Sequence, residues 1–184
     1  SGQKNHREYL FLYEPASGKV TRAALEGLAE MRQPAFSPDG KKVVFVGMKG
    51  GFNDLYEVPL DLLSKGGELP FSAAARLTES EQDESSPSYS PDGEALAYSC
   101  EIETSSGPAR ALCELRPGGT PVVAPAADGS VYDPVYTADG AGIYFIGDAG
   151  DNFELYLRDR ASGSVSRLTR SLGGVFNPAV SSGK

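Results

Sequence analysis

Short apolar runs alternate along this chain with turns rich in Gly, Pro, Asp and Ser. The stretch "FSPDGKKVVF" at 36–45 is the clearest example, because an aromatic residue precedes a Ser-Pro-Asp-Gly turn and an apolar, β-branched run follows it. Apolar runs bounded by turn residues predict strands. Long stretches with an apolar residue at every third or fourth position, as an amphipathic helix requires, are rare. The pattern therefore predicts an all-β protein.

The same turn recurs at a regular interval. "YSPDGEALAY" at 89–98 begins 53 residues after the first copy, and "YTADGAGIYF" at 136–145 begins 47 residues after the second. "VSSGK" from Val180 resembles a degenerate fourth copy. A period of about 40 to 50 residues is the length of a four-stranded propeller blade. In such a turn Ser accepts a backbone hydrogen bond, Pro presets φ and Gly permits a positive φ. The motif predicts a hairpin rather than an active site.

Each repeat contains enough strand signals for one complete blade. A first strand precedes the turn and a second follows it, the third reads "NDLYEVPL", "RALCELR" or "FELYLRD", and Arg-Leu-Thr at 76–78 and 167–169 marks the fourth. We therefore predict an antiparallel β-propeller domain with three complete four-stranded blades at about 26–79, 80–126 and 127–170.

The two ends of the chain predict a split or incomplete blade. Residues 8–25, "EYLFLYEPASGKVTRAAL", align with "FELYLRDRASGSVSRLT" and so represent third and fourth strands, whereas 171–184 begins a further blade with a first strand at 177–180. The second strand between them is missing. Either a segment is missing from this sequence, or the chain is part of a larger ring or of an assembly of several chains, or a four-bladed ring closes with one incomplete blade. Open blade edges can pair with another chain, so self-association is expected.

The repeat resembles that of a known family. Proline, an aromatic residue and Ser-Pro-Asp-Gly, followed by "DLY" or "ELY" and then "RLT", resemble the TolB-like propeller repeat over nearly the whole chain. The second blade departs from the pattern, because "CELRPGGTPVVAP" replaces the last two signatures. The resemblance implies a non-catalytic protein-interaction module of an exported bacterial protein. The alternative is a substrate-gating propeller of a prolyl-oligopeptidase-like peptidase whose catalytic domain is not part of this chain.

Charge and composition exclude several classes of partner. The 184 residues carry a net charge of -8, with a sequence pI near 4.7, which argues against nucleic acid and anionic membrane surfaces. No apolar run approaches the roughly 18 residues of a membrane helix. The N-terminal stretch "SGQKNHREYL" does not resemble a secretory signal. We expect a periplasmic or secreted protein whose signal sequence lies outside this chain.

The residues needed for common catalytic sites are missing. His6 is the only histidine, and it lies in a polar N-terminal stretch, which argues against a histidine-based hydrolase. Cysteine and histidine are too few for a zinc site. Asp148, Asp151 and Asn152 form either a weak cation site or an ordinary solvated hairpin loop. We predict no catalytic residue, no cofactor and no metal.

The two cysteines fall on neighbouring predicted strands. With a hairpin centred near Ser106 and Gly107, Cys100 faces Cys113, so that both sulfur atoms lie on one face of the sheet. Either a disulfide or two buried thiols satisfies this arrangement. A disulfide indicates folding outside the reducing cytoplasm.

A partner protein or peptide is expected at the segments that join one blade to the next. These segments, 26–33, 79–86, 126–133 and 171–177, are the most divergent parts of the repeats. The second is acidic, and is either a solvated loop or a site for a basic partner. The candidate partner-binding residues are Met31, Arg32, Glu81, Asp83, Glu84, Tyr132 and Phe176.

Overall fold

A computed structural model describes residues 8–116, 118–124, 129–148 and 152–181. Strands dominate this part of the chain, and helix is limited to α1 (Leu60–Leu63) and a 3-10 turn at Phe71–Ala73. The prediction of an all-β protein is confirmed. The chain divides into two compact units, Ser1–Glu81 and Gln82–Lys184.

The first unit contains two sheets. One has four antiparallel strands in the order β3-β4-β5-β7, and it lies within the predicted first blade. Apolar side chains on its central strands are completely buried, and the rings of Phe45 and Tyr56 stack with centroids 5.9 Å apart. The strands are β1 (Leu10–Glu14), β2 (Lys19–Leu25), β3 (Met31–Phe36), β4 (Lys42–Lys49), β5 (Phe52–Pro59), β6 (Gly67–Leu69) and β7 (Ala75–Arg76).

The other sheet of this unit has three strands in the order β1-β2-β6. β1 and β2 form the antiparallel hairpin predicted for 8–25. β6 was not predicted: it belongs to the connection between β5 and β7 and pairs with β2 in parallel. Leu25 and Leu69 lie opposite each other in this pairing and are both buried, which explains why the connection folds back onto the hairpin.

The second unit contains two four-stranded antiparallel sheets, with the orders β8-β9-β10-β11 and β12-β13-β14-β15. Ala97 and Leu112 of the former pack in one core cluster with Ile143 and Phe145 of the latter. The strands are β8 (Glu84–Tyr89), β9 (Leu96–Thr104), β10 (Gly107–Leu115), β11 (Val122–Ala124), β12 (Val131–Tyr136), β13 (Gly142–Gly147), β14 (Glu154–Asp159) and β15 (Val165–Arg167).

The repeated turn joins the first two strands of each four-stranded sheet. Ser37 Oγ donates to Asp39 Oδ1 at 2.7 Å and accepts from the backbone N–H of Lys42 at 2.9 Å. Gly40 has φ +68°, which glycine adopts without strain. The same side-chain bonds recur between Ser90 and Asp92 and between Thr137 and Asp139.

A β-bulge precedes each of these turns. In all three first strands the register shifts around the residue before a proline, and that residue has a positive φ. Proline donates no hydrogen bond to a ladder, which accounts for the bulge. The residues are Gln33 (φ 52°), Ser86 (φ 53°) and Asp133 (φ 46°).

The C-terminal segment keeps part of this signature without forming a strand. Asn177 precedes Pro178 and has φ 50°, as in the three complete repeats. The predicted first strand at 177–180 is nevertheless wrong, since residues 168–181 contain no strand. A strand needs a paired neighbour for its backbone groups, and none of the described strands pairs with this segment.

The two cysteines form a disulfide with Cα atoms 5.9 Å apart. Cys100 lies opposite Ala111 and Cys113 opposite Tyr98, so the predicted direct pairing is wrong and the bridge joins diagonal positions of β9 and β10. The register differs because the hairpin turns at residues 105 and 106, with Thr104 opposite Gly107, one residue earlier than predicted.

Candidate protein-interaction site

Five of the predicted partner-binding residues are accessible to a partner. Arg32 and Glu81 are exposed, and Phe176 is 59% exposed, which is high for an aromatic side chain. Asp83 and Tyr132 are half-buried. These five residues remain candidates for contact with another molecule.

The other two predicted residues are buried. Met31 is 6% exposed and belongs to the core of the first unit, where its backbone N–H donates to Glu8 Oε2 at 3.1 Å. Glu84 is 4% exposed and lies in β8 opposite Cys100. Burial, with a smaller contribution from the Glu84 charge, raises the pKa of Tyr98. The assignment of Met31 and Glu84 to an exposed rim is therefore corrected, because the first strand of each blade begins before the divergent segment ends.

Two candidates from different inter-blade segments meet in one aromatic cluster. The ring of Phe153 lies 5.5 Å from that of Tyr132, edge to face, and 5.2 Å from that of Phe176. Tyr132 belongs to the inter-blade segment 126–133, whose last residues form the start of β12, and Phe176 belongs to the segment 171–177 after β15. We call Tyr132, Phe153 and Phe176 the aromatic cluster.

Hydrogen bonds hold the parts of the aromatic cluster in place. Tyr132 Oη donates to Asp148 Oδ2 at 3.2 Å, and the other carboxylate oxygen of Asp148 accepts from the backbone N–H of Ser130 at 2.5 Å. The backbone N–H of Val175 donates to the carbonyl of Phe153 at 2.8 Å. The cluster thus combines a fixed base with an exposed ring at Phe176.

Sequence reasoning missed Phe153 and Leu172. Phe153 directly precedes the "ELY" signature, and the sequence placed it only in the third predicted strand. Leu172 lies within the segment 171–177 and is fully exposed. Its apolar character in a glycine-rich loop was the available signal.

The proposed cation loop is occupied by other interactions where the structure describes it. Both carboxylate oxygens of Asp148 accept hydrogen bonds, and Asn152 Nδ2 donates to the carbonyl of Ser171 at 3.3 Å. Asp151 and His6 lie outside the described residues. Within the described ranges, no group of three or more Cys, His, Asp or Glu side chains is arranged to hold a metal. None of the described helices is long and apolar enough to span a membrane.

The fold and the site define an all-β repeat protein with antiparallel four-stranded sheets and an aromatic cluster in which Phe176 is exposed. No protein-family profile matches the chain. A TolB homologue from Chlorobium chlorochromatii is 30% identical over 190 residues, which cover 92% of this chain and 39% of the relative. The structure of a TolB protein from Agrobacterium tumefaciens matches 95% of this chain and 59% of its own length, with a TM-score of 0.77 and 20% identity. A prolyl endopeptidase structure matches 91% of this chain and 27% of its own, with a TM-score of 0.62 and 14% identity.

The chain is similar to TolB proteins in sequence and in fold, in agreement with the resemblance of its repeat to the TolB-like propeller repeat. It spans 39% of the length of the Chlorobium relative.

Proposed function

We propose that this chain is a non-catalytic protein-interaction module of an exported bacterial TolB-like protein, and that it binds its partner through the inter-blade segments. One observation carries the proposal: Tyr132 and Phe176 come from two different inter-blade segments and pack on the same ring, Phe153. Aromatic side chains on a fixed base are the usual anchors of protein interfaces. Leu172 extends the apolar surface available on the segment 171–177.

The acidic segment adds a preference for a basic partner. Glu81 is exposed and Asp83 is half-buried, in a stretch that also contains Glu79, whose side chain is 81% exposed. Carboxylates at the edge of an interface steer an oppositely charged partner and affect the association rate more than the affinity. Arg32, on the inter-blade segment 26–33, is also exposed and is a further candidate contact residue.

Periplasmic or secreted localisation is part of the proposal. The disulfide between Cys100 and Cys113 supports it, because disulfides persist in oxidising compartments and are rare in the cytosol. The relationship to a TolB homologue supports it as well.

The test is a comparative pull-down from periplasmic extract, with captured proteins identified by mass spectrometry. We expect Phe176→Ser combined with Leu172→Ser to lose a partner that the parent chain retains, since truncating an interface anchor costs about 2 kcal/mol or more. Leu168→Ser is the matched control, because Leu168 is 48% exposed and lies outside the inter-blade segments. Glu81→Lys with Asp83→Lys tests the acidic segment in the same experiment. Equal recovery by all variants would refute the proposal.

The second candidate function is a substrate-gating propeller of a peptidase, which the fold likeness to a prolyl endopeptidase favours. That likeness concerns the fold alone. The parent gene distinguishes the two candidates: in a peptidase it continues beyond Lys184 into a Gly-x-Ser-x-Gly elbow followed by a histidine. A gene without those motifs eliminates the peptidase.

Self-association through β1 is a further part of the proposal. β1 is the last strand of its sheet among the described residues, and its side chains Phe11 and Tyr13 are 69% and 61% exposed. An apolar edge strand is a template for pairing with another chain. Light scattering decides the point: a species heavier than the 19.4 kDa chain, reduced to monomer by Phe11→Lys, supports pairing at β1, and a uniform monomer excludes it.

A further inference from the structure

A basic pocket lies between the two sheets of the second unit. It has a volume of about 840 Å³. One wall comes from the sheet β8-β9-β10-β11, with Glu114 on β10, Arg116 just after it, and Val122 and Ala124 on β11. The other wall comes from the sheet β12-β13-β14-β15, with Arg158 on β14 and Arg160 just after it. Three arginines and two carboxylates, Glu114 and Asp159, line the pocket, so its lining carries one net positive charge on a chain whose net charge is -8.

Arg160 is the structural link between the two walls of this pocket. Its guanidinium forms a bidentate pair with the Glu114 carboxylate, and its Nη1 donates to the Gly140 carbonyl at 2.8 Å. The group also lies 5.2 Å from the centre of the Tyr136 ring. Arg160 is therefore neutralised and fixed, and it is not the group that binds a ligand.

The carboxylates in the pocket are already engaged. Glu114 pairs with Arg160, and Asp159 Oδ1 accepts hydrogen bonds from the N–H and the hydroxyl of Ser162, both at 2.7 Å. Neither Arg116 nor Arg158 forms a salt bridge with any carboxylate of the described residues.

Arg158 is oriented without being neutralised. Its Nη1 donates to the carbonyl of Gly163 at 2.9 Å, which fixes the guanidinium, and no carboxylate within the described ranges pairs with it. Arg116 is exposed and lines the same pocket. Two guanidinium groups next to the apolar side chains of Val122 and Ala124 favour a ligand that combines an anionic group with neighbouring apolar groups.

We propose that this pocket binds the carboxylate side chains of an acidic peptide segment, with Arg116 and Arg158 as the anchoring groups. Guanidinium groups recognise carboxylates through paired, charge-assisted hydrogen bonds. Val122, which is 68% exposed, and Ala124 contact the apolar residues that flank the acidic ones. The lining residues of the pocket lie outside the inter-blade segments, so this proposal is independent of the function proposed above.

The probe is a fluorescein-labelled peptide of alternating leucine and glutamate with blocked termini, titrated with the 184-residue chain and followed by fluorescence anisotropy. We expect saturable binding, weakened about tenfold or more by Arg116→Gln and by Arg158→Gln, since hydrogen bonds to charged groups contribute on that scale. Arg170→Gln is the matched control, because Arg170 is exposed and lies in the same unit, and its substitution removes the same charge. It should change the affinity less than twofold.

A second pair of variants tests the pocket without removing an arginine. Val122→Glu places a negative charge among the lining residues and should abolish binding, whereas Val123→Glu, on the opposite face of the same strand, should not. Binding should survive Phe176→Ser, which separates this site from the aromatic cluster.

Four results would overturn the proposal. They are no binding to the acidic peptide, equal binding of a peptide with glutamine in place of glutamate, equal losses with Arg170→Gln, and binding abolished by inorganic phosphate at a concentration where acetate has no effect. The last result would assign the pocket to phosphate.

Discussion

Asp54 and Arg76 form an ion pair inside the first four-stranded sheet, and Glu154 and Arg167 repeat it in the last. The carboxylate of Asp54 is completely buried and accepts from Arg76 Nη2 at 2.6 Å, and that of Glu154 is also completely buried and accepts from Arg167 Nη2 at 2.9 Å. In each case the acid begins the third-strand signature and the arginine begins Arg-Leu-Thr. The two sequence signatures of the repeat therefore supply the two partners of one buried ion pair.

The threonine of the Arg-Leu-Thr signature adds a hydrogen bond to the third strand. Thr78 Oγ1 accepts from the backbone N–H of Leu55 at 2.8 Å, and Thr169 Oγ1 accepts from that of Leu155 at 2.9 Å. The hydroxyl of Thr169 also donates to Glu154, and this bond is the main reason why the pKa of Glu154 lies below its ordinary value. The fourth strand is thus attached through side chains as well as through its short ladder.

The first prediction concerns this buried pair. Asp54→Asn should lower the free energy of unfolding by about 2 kcal/mol, because it removes the buried charged acceptor of the Arg76 guanidinium and leaves only the exposed Glu79. Chemical denaturation measures the change. Glu79→Gln is the control: Glu79 contacts the same arginine, but its side chain is 81% exposed, so the loss should stay below about 0.5 kcal/mol. Equal losses would contradict a buried structural role.

The second prediction is a pH dependence that originates in the repeated turns. The pKa values of Asp39, Asp92 and Asp139 lie below the ordinary 3.8, chiefly because a Ser or Thr hydroxyl donates to each carboxylate. A lowered folded-state pKa stabilises the protein above the unfolded value, and the stabilisation is lost as the pH falls through the folded value. Denaturation at pH 5 and at pH 2.5 should show a smaller loss of stability in the triple Asp→Asn variant than in the parent.

Exposed carboxylates outside the turns provide the control. A triple variant with Glu26→Gln, Asp61→Asn and Glu103→Gln removes the same formal charge, and it should retain the pH dependence of the parent chain. If both triple variants lose the dependence equally, general charge repulsion rather than turn hydrogen bonding is its source.

The third prediction concerns the disulfide, whose two cysteines occupy positions that hold a glycine and a tyrosine in the other two four-stranded sheets. Gly47 and Gly147 occupy the position of Cys100, and Tyr56 and Tyr156 that of Cys113. A Cβ atom on Gly47 would lie 2.7 Å from Cδ2 of Tyr56, so glycine and tyrosine pack as a unit. In the middle blade Ala111 occupies the position of the buried acids Asp54 and Glu154. The disulfide therefore stands in a blade that lacks both the glycine–tyrosine packing and the buried ion pair.

Removing the bridge should therefore destabilise the second unit. Cys100→Ala with Cys113→Ala should lower the free energy of unfolding by about 3 kcal/mol, the scale for a short closed loop. Cys100→Gly with Cys113→Tyr restores the pair of the other blades and should recover part of that loss. Thermal unfolding under non-reducing conditions compares the variants. A glycine–tyrosine variant no more stable than the alanine variant would refute the equivalence.

The fourth prediction concerns neighbouring repeats. Ser86 Oγ donates to Asp133 Oδ1 at 2.7 Å, and the two residues are the equivalent positive-φ positions of adjacent blades. A double-mutant cycle with Ser86→Ala and Asp133→Ala should give a coupling energy of about 1 kcal/mol. Additive effects would show that the bond does not link the blades.

The strands of the repeat were predictable because their signals are local. A Ser-Pro-Asp-Gly turn determines its own geometry through bonds between residues two to five positions apart, and alternation around it defines the neighbouring strands. The parallel pairing of β6 was not predictable, since it depends on where a connection of variable sequence finds an apolar neighbour. A hairpin register one residue away from the apparent centre placed Cys100 opposite Ala111.

The candidate site was predictable only in part. The positions of Tyr132 and Phe176 on inter-blade segments followed from the repeat, but their shared contact with Phe153 requires the packing of three separate segments. The burial of Met31 and Glu84 was missed because a residue at a strand end faces the core or the solvent according to tertiary contacts, and the sequence pattern around the β-bulge does not indicate which.

Hydrogen–deuterium exchange of the chain with and without its captured partner tests the central claim most directly. Binding through the inter-blade segments predicts slower amide exchange at 129–133 and 171–177, with the turns at 90–95 and 137–142 unchanged, because these turns lie at the other end of the first strands. Protection confined to those turns, or absent from both inter-blade segments, would contradict the account.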